Sequence, residues 1–499
     1  MSIPVNLEQQ RKLAKELIRA ARGGDLSALG RLKAVRSDIT DPARPLKLAD
    51  AQLAVARESG FDSWPKLVAH VHERDTAAFR DAVTNGDVPL VRQLLASAHV
   101  QKEINAPMFA FGQRAAHMAA KNAEMLEVLL GAGADVNLRS KWENGPYTVL
   151  DNANEDTAQF LLGRGATLTA NVAARLGWFD QLQRLITADP ALVHARGGDG
   201  QQPLHEAKTV AIADFLLDHG ADVDARCIDH QSTPAQYALV DRPDVCRRLL
   251  ERGATPDIYM AACLGDVALA TRILDADPAA AAARVNQAGY ALVPPMHIYC
   301  WTLGFGMSPH DVALRFGHRE VRDLLEARSP AAVRFLHAVI AGDEPAARAL
   351  LDASLLSSLT RASYGHLALA IFDGNDRAAE LMLRLGFDET APGVDGGTAL
   401  HAACWVGNVG MVEMLLERGR VNVDARDPTH LSTPLGWAAF GSVHRRARGA
   451  DYVAVVDRLV AAGADITAPG NRENRSLLAM ADGNDAVQEA LRQHGARES

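Results

Sequence analysis

Thr398-Ala399-Leu400-His401-Ala402-Ala403 opens a stretch, running on to Leu416, in which apolar residues return at helical spacing. Leu400, Ala403 and Cys404 come first, then Val412, Met414, Leu415 and Leu416, with Gly407 breaking the run between them. This pattern predicts two short helices joined as a hairpin. The glycine that follows the leucine pair, Gly419, stops the second helix, because glycine alone enters the left-handed conformation cheaply. So small a hairpin cannot bury its own apolar face, and copies of it must stack and share one core.

Copies are present. Val128-Leu129-Leu130 through Gly133-Ala134-Asp135-Val136-Asn137, Phe215-Leu216-Leu217 through Gly220-Ala221-Asp222-Val223-Asp224, and Leu459-Val460 through Gly463-Ala464-Asp465-Ile466-Thr467 are one cassette. Gly133 to Gly165 is 32 residues, Gly220 to Gly253 is 33 and Gly386 to Gly419 is 33. The period predicts about thirteen units between residues 77 and 497. Two of them, Tyr147 to Leu162 and Pro203 to Leu217, lack the glycine between helices, which implies a tighter turn or a slipped helix there.

The openings Gln202-Pro203-Leu204-His205-Glu206-Ala207, Thr233-Pro234-Ala235-Gln236-Tyr237-Ala238 and Thr398-Ala399-Leu400-His401-Ala402-Ala403 resemble the T-P-L-H-x-A start of the ankyrin repeat. The resemblance implies an all-α solenoid of helical hairpins with finger loops, whose inner helices and fingers form a concave binding face. It also implies that His117, His205 and His401, at the motif histidine, tie finger backbone to helix. Residues 1–76 fit the period poorly and read as a helical N-terminal cap; Ala51 to Pro65 resembles a module that precedes ankyrin repeats in many large bacterial proteins.

Composition narrows the function. The 499 residues carry 52 basic and 61 acidic side chains, net −9, without a long basic run, which argues against a phosphate-backbone binder. Five cysteines, Cys227, Cys246, Cys263, Cys300 and Cys404, lack paired spacing and read as reduced packing residues of a cytoplasmic protein. Met1 to Asn6 leads into a charged helix rather than an apolar signal core. The 26 uncharged residues between Arg284 and Asp311 contain Pro294-Pro295 and polar groups, so they do not read as a membrane span.

That uncharged segment, 284–311, is the main departure from the period: a finger loop enlarged with Tyr290, His297, Tyr299 and Trp301. His310 follows in Ser308-Pro309-His310-Asp311-Val312-Ala313, where the motif places a core leucine. A second enlargement, near 441–451, stretches Gly419 to Gly463 to 44 residues and carries His444, Arg445, Arg446 and Arg448; it reads as a solvated loop or a contact for an acidic partner. Aromatic residues gather at fingers and variable positions: Phe109, Phe111, Trp142, Tyr147, Tyr237, Phe316, Phe372, Trp405 and Trp437. Exposed aromatics suit recognition, and packing between fingers is the plainer role.

Two functional readings follow. In the first, the chain is a cytosolic recognition scaffold that grips a partner protein with its concave face and fingers, with Phe316, Phe372, Trp405 and Trp437 as anchors. In the second, the 284–311 loop closes a pocket for a small molecule or for acid–base chemistry without a cofactor. There His297, Tyr299 and His310 are the acid–base candidates, Asp229 or Asp395 the orienting carboxylate, and Tyr290, Trp301 and Trp405 the walls. The acidic finger residues Asp199, Asp229, Asp395 and Asp427 otherwise read as turn formers. Phosphate-loop, dinucleotide, H-E-x-x-H and G-x-S-x-G signatures are missing, and no metal site follows from spacing.

Overall fold

The computed structural model describes residues 6–35, 45–286, 296–445 and 449–497, and every regular element among them is helical. Contacts gather into two compact units, Met1–Ala254 and Thr255–Ser499. Past the N-terminal helices the first unit is a row of six helix pairs and the second a row of seven. Ala399–Val406 with Val409–Glu417 is representative: Gly407, at φ 68°, ends the inner helix, and the Asn408 side chain accepts the Met411 N–H to start the outer one. In the second unit inner helices pack on inner helices, as His366–Phe372 on Ala399–Val406 on Pro434–His444, and outer on outer. One apolar cluster therefore runs from Phe335 to Leu491 through successive pairs. Leu400, Leu415 and Leu459 are fully buried in it, each worth about 1.5–3 kcal/mol.

Fingers connect the pairs and share one closure. Gly197 N–H donates to Gln201 O (2.8 Å), Cys227 to Ser232 (3.1 Å), Gly393 to Gly397 (2.8 Å), Asp427 to Ser432 (3.1 Å) and Gly470 to Arg475 (2.8 Å). The ends of the enlarged finger close in the same way: Val285 N–H donates to Met307 O (3.1 Å) and Gly306 N–H to Val285 O (2.8 Å). An arginine just before each of several fingers spans it. Arg196, Arg226, Arg284 and Arg426 place their guanidinium groups on the carbonyls of Gly200, Gln231, Gly306 and Leu431.

The motif histidines complete the scaffold. His205 accepts the Gln202 N–H at Nδ1 (3.1 Å) and sets Nε2 3.1 Å from Ser232 O on the next finger. His401 does likewise with Thr398 (3.1 Å) and Ala425 (3.0 Å), and His117 reaches Tyr147 O at 3.1 Å. Burial holds all three rings below their ordinary pKa, His205 down to about 4.

Where the inner helix is cut short, its carbonyls find another donor. Val149–Asn152 and Pro203–Glu206, the two units without an inter-helix glycine, are single 3₁₀ turns. Arg175 of the following pair donates to Leu150 O and Ala153 O (both 2.8 Å), and Arg242 donates to Ala207 O (2.8 Å) and His205 O (3.0 Å). Arg315 treats the four-residue helix Tyr299–Thr302 of the enlarged finger in the same way, at Leu303 O (2.7 Å). Orphan carbonyls at a helix end thus borrow a guanidinium from the next repeat.

Two boundaries differ from the sequence reading. The limit set at residue 76 lies inside the helix Trp64–Asn85. Its first half packs Leu67 and Val71 against Leu7 and Ala56, while its second half puts Phe79, Ala82 and Val83 into the core of the first repeats. The enlargement placed at 441–451 is largely not a loop on its N-terminal side, because Pro434–His444 continues as helix where a shorter inner helix was expected. Residues 446–448, and with them Arg446 and Arg448, lie outside the described residues.

Candidate functional site

Within the second unit, three inner helices present an aromatic side chain at one register. Phe372 ends His366–Phe372, Trp405 comes seven residues after Thr398, and Phe440 seven after Thr433. Phe372 and Trp405 stack with centroids 6.2 Å apart and planes 5° from parallel; Phe440 leans on Trp405 at 6.0 Å. Trp437 meets Trp405 edge to face at 6.1 Å. These rings floor a cleft of about 390 Å³. Its other wall is built from the fingers, with Asp395, His430, Asn471, Glu473 and Arg475, and Met480 at the base.

Close packing makes the cleft possible. A Cβ on Gly441 would stand 2.5 Å from Trp405 O, and one on Gly436 2.5 Å from Gly470 O, so only glycine lets this helix approach both neighbours. Asp427 sets the middle finger by accepting from Trp437 Nε1 (3.0 Å), His430 N (2.5 Å) and Ser432 N (3.0 Å). Burial alone would raise its pKa, but these donors outweigh it and hold the carboxyl below its ordinary value. Arg445, one residue past the lengthened helix, lays its guanidinium 5.5 Å from the Phe372 ring and donates to Phe372 O (3.2 Å).

One polar group in this floor is left over. Trp405 Nε1 is buried and has no acceptor among the described residues. An indole N–H in that state costs about 1–3 kcal/mol. The rim is mixed in sign: His430 Nε2 is 3.5 Å from Asp395 Oδ2, both half exposed, and Arg475 caps Ala479 O (2.6 Å).

The sequence-predicted anchors divide. Phe372, Trp405 and Trp437 line the cleft with Asp395, although Trp437 is 6% exposed and offers mainly an edge. Phe316 is not in its lining; it lies half-buried under the Arg315 guanidinium at 5.4 Å. Tyr237, in the first unit, sits half-buried beside His205 (5.4 Å) with its hydroxyl 3.4 Å from Cys227 Sγ, and burial raises its pKa. Phe440, His430, Arg475 and Met480 escaped the sequence reading. For Phe440 a signal existed, since it repeats the register of Phe372 and Trp405.

The acid–base candidates are placed differently from that expectation. Tyr299 is fully buried, donates its hydroxyl to Asp257 Oδ2 (2.9 Å) and packs on Tyr259 (5.4 Å). Asp257 is the N-cap of Ile258–Leu264, so this hydroxyl secures a helix start. His297, 1% exposed, lies 4.6 Å from the Tyr299 ring and accepts the Tyr299 N–H (3.2 Å). Trp301 faces outward, 58% exposed and edge-on to Phe305. Tyr290 lies outside the described residues. Asp229 belongs to the first unit, where it accepts from Asn144 Nδ2 (2.7 Å) beside His230 (3.5 Å). His310 is buried, its Nε2 3.0 Å from Ser329 Oγ, and burial with the neighbouring His337 pushes its pKa down to about 3.

The sequence model of one family, Ankyrin repeat, matches residues 199–228 and 395–428. Each match begins at a finger aspartate of positive φ, Asp199 at 54° and Asp395 at 49°, and runs through one helix pair into the next finger. The chain is an ankyrin-repeat protein with an all-α fold, and ankyrin repeats generally mediate protein–protein interaction. No curated protein matches it. Among the described residues no helix is long and apolar enough to cross a membrane.

Proposed function

We propose that the chain is a recognition scaffold whose second unit grips a partner protein in the aromatic cleft, on the face that inner helices and fingers share. The observation that carries this reading is the Phe372–Trp405–Phe440 rank with an indole N–H lacking an acceptor. Such a floor takes an apolar or aromatic side chain from an extended segment, while a backbone carbonyl of that segment accepts from Trp405. The mixed rim supplies register rather than affinity. Five free cysteines, all buried, fit a reducing compartment such as the cytosol.

Peptide display on the full chain tests the idea. Selected peptides should share one bulky apolar residue, and Trp405→Phe, which keeps a ring and removes the N–H, should weaken them about three- to tenfold by calorimetry. Ligands that bind Trp405→Phe and the wild type alike would remove the cleft from the account. A small-molecule occupant is the second reading, favoured by a volume within the ordinary range of ligand sites. In that case a metabolite thermal-shift screen finds stabilisers where peptides fail.

A further inference from the structure

His310 breaks the repeat motif, and its surroundings say what could reward the exchange. It sits in the first turn of Pro309–Arg315; Glu326 lies near the end of Arg319–Arg328 and His337 in Ala331–Ile340. One ligand-type atom from each of the three residues lies within 4.8 Å of the others. The two imidazole rings meet edge to face with centroids 3.8 Å apart, and His337 Nδ1 is 3.5 Å from Glu326 Oε1.

We propose that His310, Glu326 and His337 form a site for one divalent late first-row transition metal of the Zn²⁺ class, joining two consecutive repeats.

Unsatisfied atoms make the case beyond proximity. His310 is 3% exposed and its Nδ1 has no hydrogen-bond partner among the described residues; His337, with its side chain 10% exposed, has the same at Nε2. Two buried nitrogens without partners in one small volume are a costly arrangement unless something electrophilic sits between them. His310 Nε2 lies 3.0 Å from Ser329 Oγ, and the tautomer that donates Nε2–H to this oxygen carries on Nδ1 the lone pair a metal would take. That is the outer-shell contact that orients a ligating histidine. The Leu325 carbonyl also faces this ring.

The donor set selects the ion. Two imidazoles and a carboxylate suit Zn²⁺ and its neighbours, whereas Mg²⁺ and Ca²⁺ prefer oxygen alone. Zinc bonds of about 2.0–2.2 Å bring tetrahedral ligands to roughly 3.4 Å from one another, so the three groups have about an ångström to close. Glu326 can supply that movement, its side chain being 41% exposed, and the same exposure gives the ion a way in. Solvent takes the fourth position.

The full chain, stripped with a chelator, should take up one equivalent of Zn²⁺ by calorimetry. With Co²⁺ it should show visible absorption of four-coordinate intensity, and Zn²⁺ should raise its melting temperature. His310→Leu restores the motif residue and should keep the fold while weakening uptake at least about tenfold and abolishing the thermal shift. Should that variant misfold, Glu326→Gln, on the solvent side of the cluster, carries the test with the same expected loss. A wild type without saturable uptake, or uptake equal in the wild type and both variants, overturns the site.

Discussion

Aromatic residues crowd the fingers of the first unit and the cleft of the second, and the two groups are spent differently. In the first unit Tyr147 and Trp142 both donate to Asp199 Oδ1, the indole at 3.2 Å, while Ile228 and Asp229 N–H groups take the Asp199 carbonyl at 3.0 and 3.1 Å. Every polar tip named there has a partner, and the rings splice one finger to the next. In the second unit the rank Phe372–Trp405–Phe440 keeps a buried N–H unanswered beside open volume. Residue type does not separate a structural aromatic from a recognition aromatic; the state of its polar handle does.

The largest effect that could break this contrast is acid. His205, which binds finger to helix, has a pKa of about 4 in the fold against 6.5 ordinarily. Between those values the unfolded chain takes up a proton that the folded chain refuses. Its contribution is whole above pH 6.5 and drains as pH falls towards 4, by roughly 1.4 kcal/mol per unit and about 3 kcal/mol in all. Urea denaturation across that range should show a steeper loss for wild type than for His205→Gln, and equal slopes would deny the histidine its scaffold role.

Next in size is Asp199→Ala, which orphans the Tyr147 hydroxyl and the Trp142 indole. It should cost about 1–3 kcal/mol in denaturation while leaving peptides selected on the cleft bound at unchanged affinity. Lost binding with unaltered stability would reverse the two roles. Smallest is Arg445→Ala, expected to weaken those peptides by about 0.5–1 kcal/mol through loss of the cation over Phe372, with a melting temperature near that of the wild type. A large fall in stability would mean that Arg445 supports the fold rather than tunes the floor.

Much of this was legible in the residues, because a period of 33 and a glycine after each leucine pair are local signals with local causes. The hairpins follow from them, whereas the tethering histidines came with the resemblance of their motif, and the two glycine-less units left a tighter turn and a slipped helix both open. Phe316, Phe372 and Trp405 were legible as one class of variable-position aromatics; only the fold ranks Phe372 and Trp405 with Phe440 and leaves Phe316 out of the cleft lining. What sequence could not display was partnership. Tyr299 reads as an acid–base group until Asp257, 42 residues earlier, is seen accepting its hydroxyl. The His310–Glu326–His337 cluster draws on three helices at no recognised metal spacing, and only folding brings it together. The limit at residue 76 failed because Trp64–Asn85 serves two cores, which periodicity alone does not reveal.

The borrowed guanidinium has a consequence in time. Leu150 and Ala153 offer carbonyls that Arg175 caps from 25 and 22 residues further along the chain, and Arg242 reaches His205 and Ala207 across 37 and 35. A ribosome adding about 5–20 residues per second leaves each shortened hairpin waiting for roughly one to several seconds before its closing residue exists. Such a repeat is finished by its successor. The dependence points one way along the chain, so synthesis from the N-terminus assembles these modules in the order of their need, and a transplanted copy of either one must carry the following arginine with it.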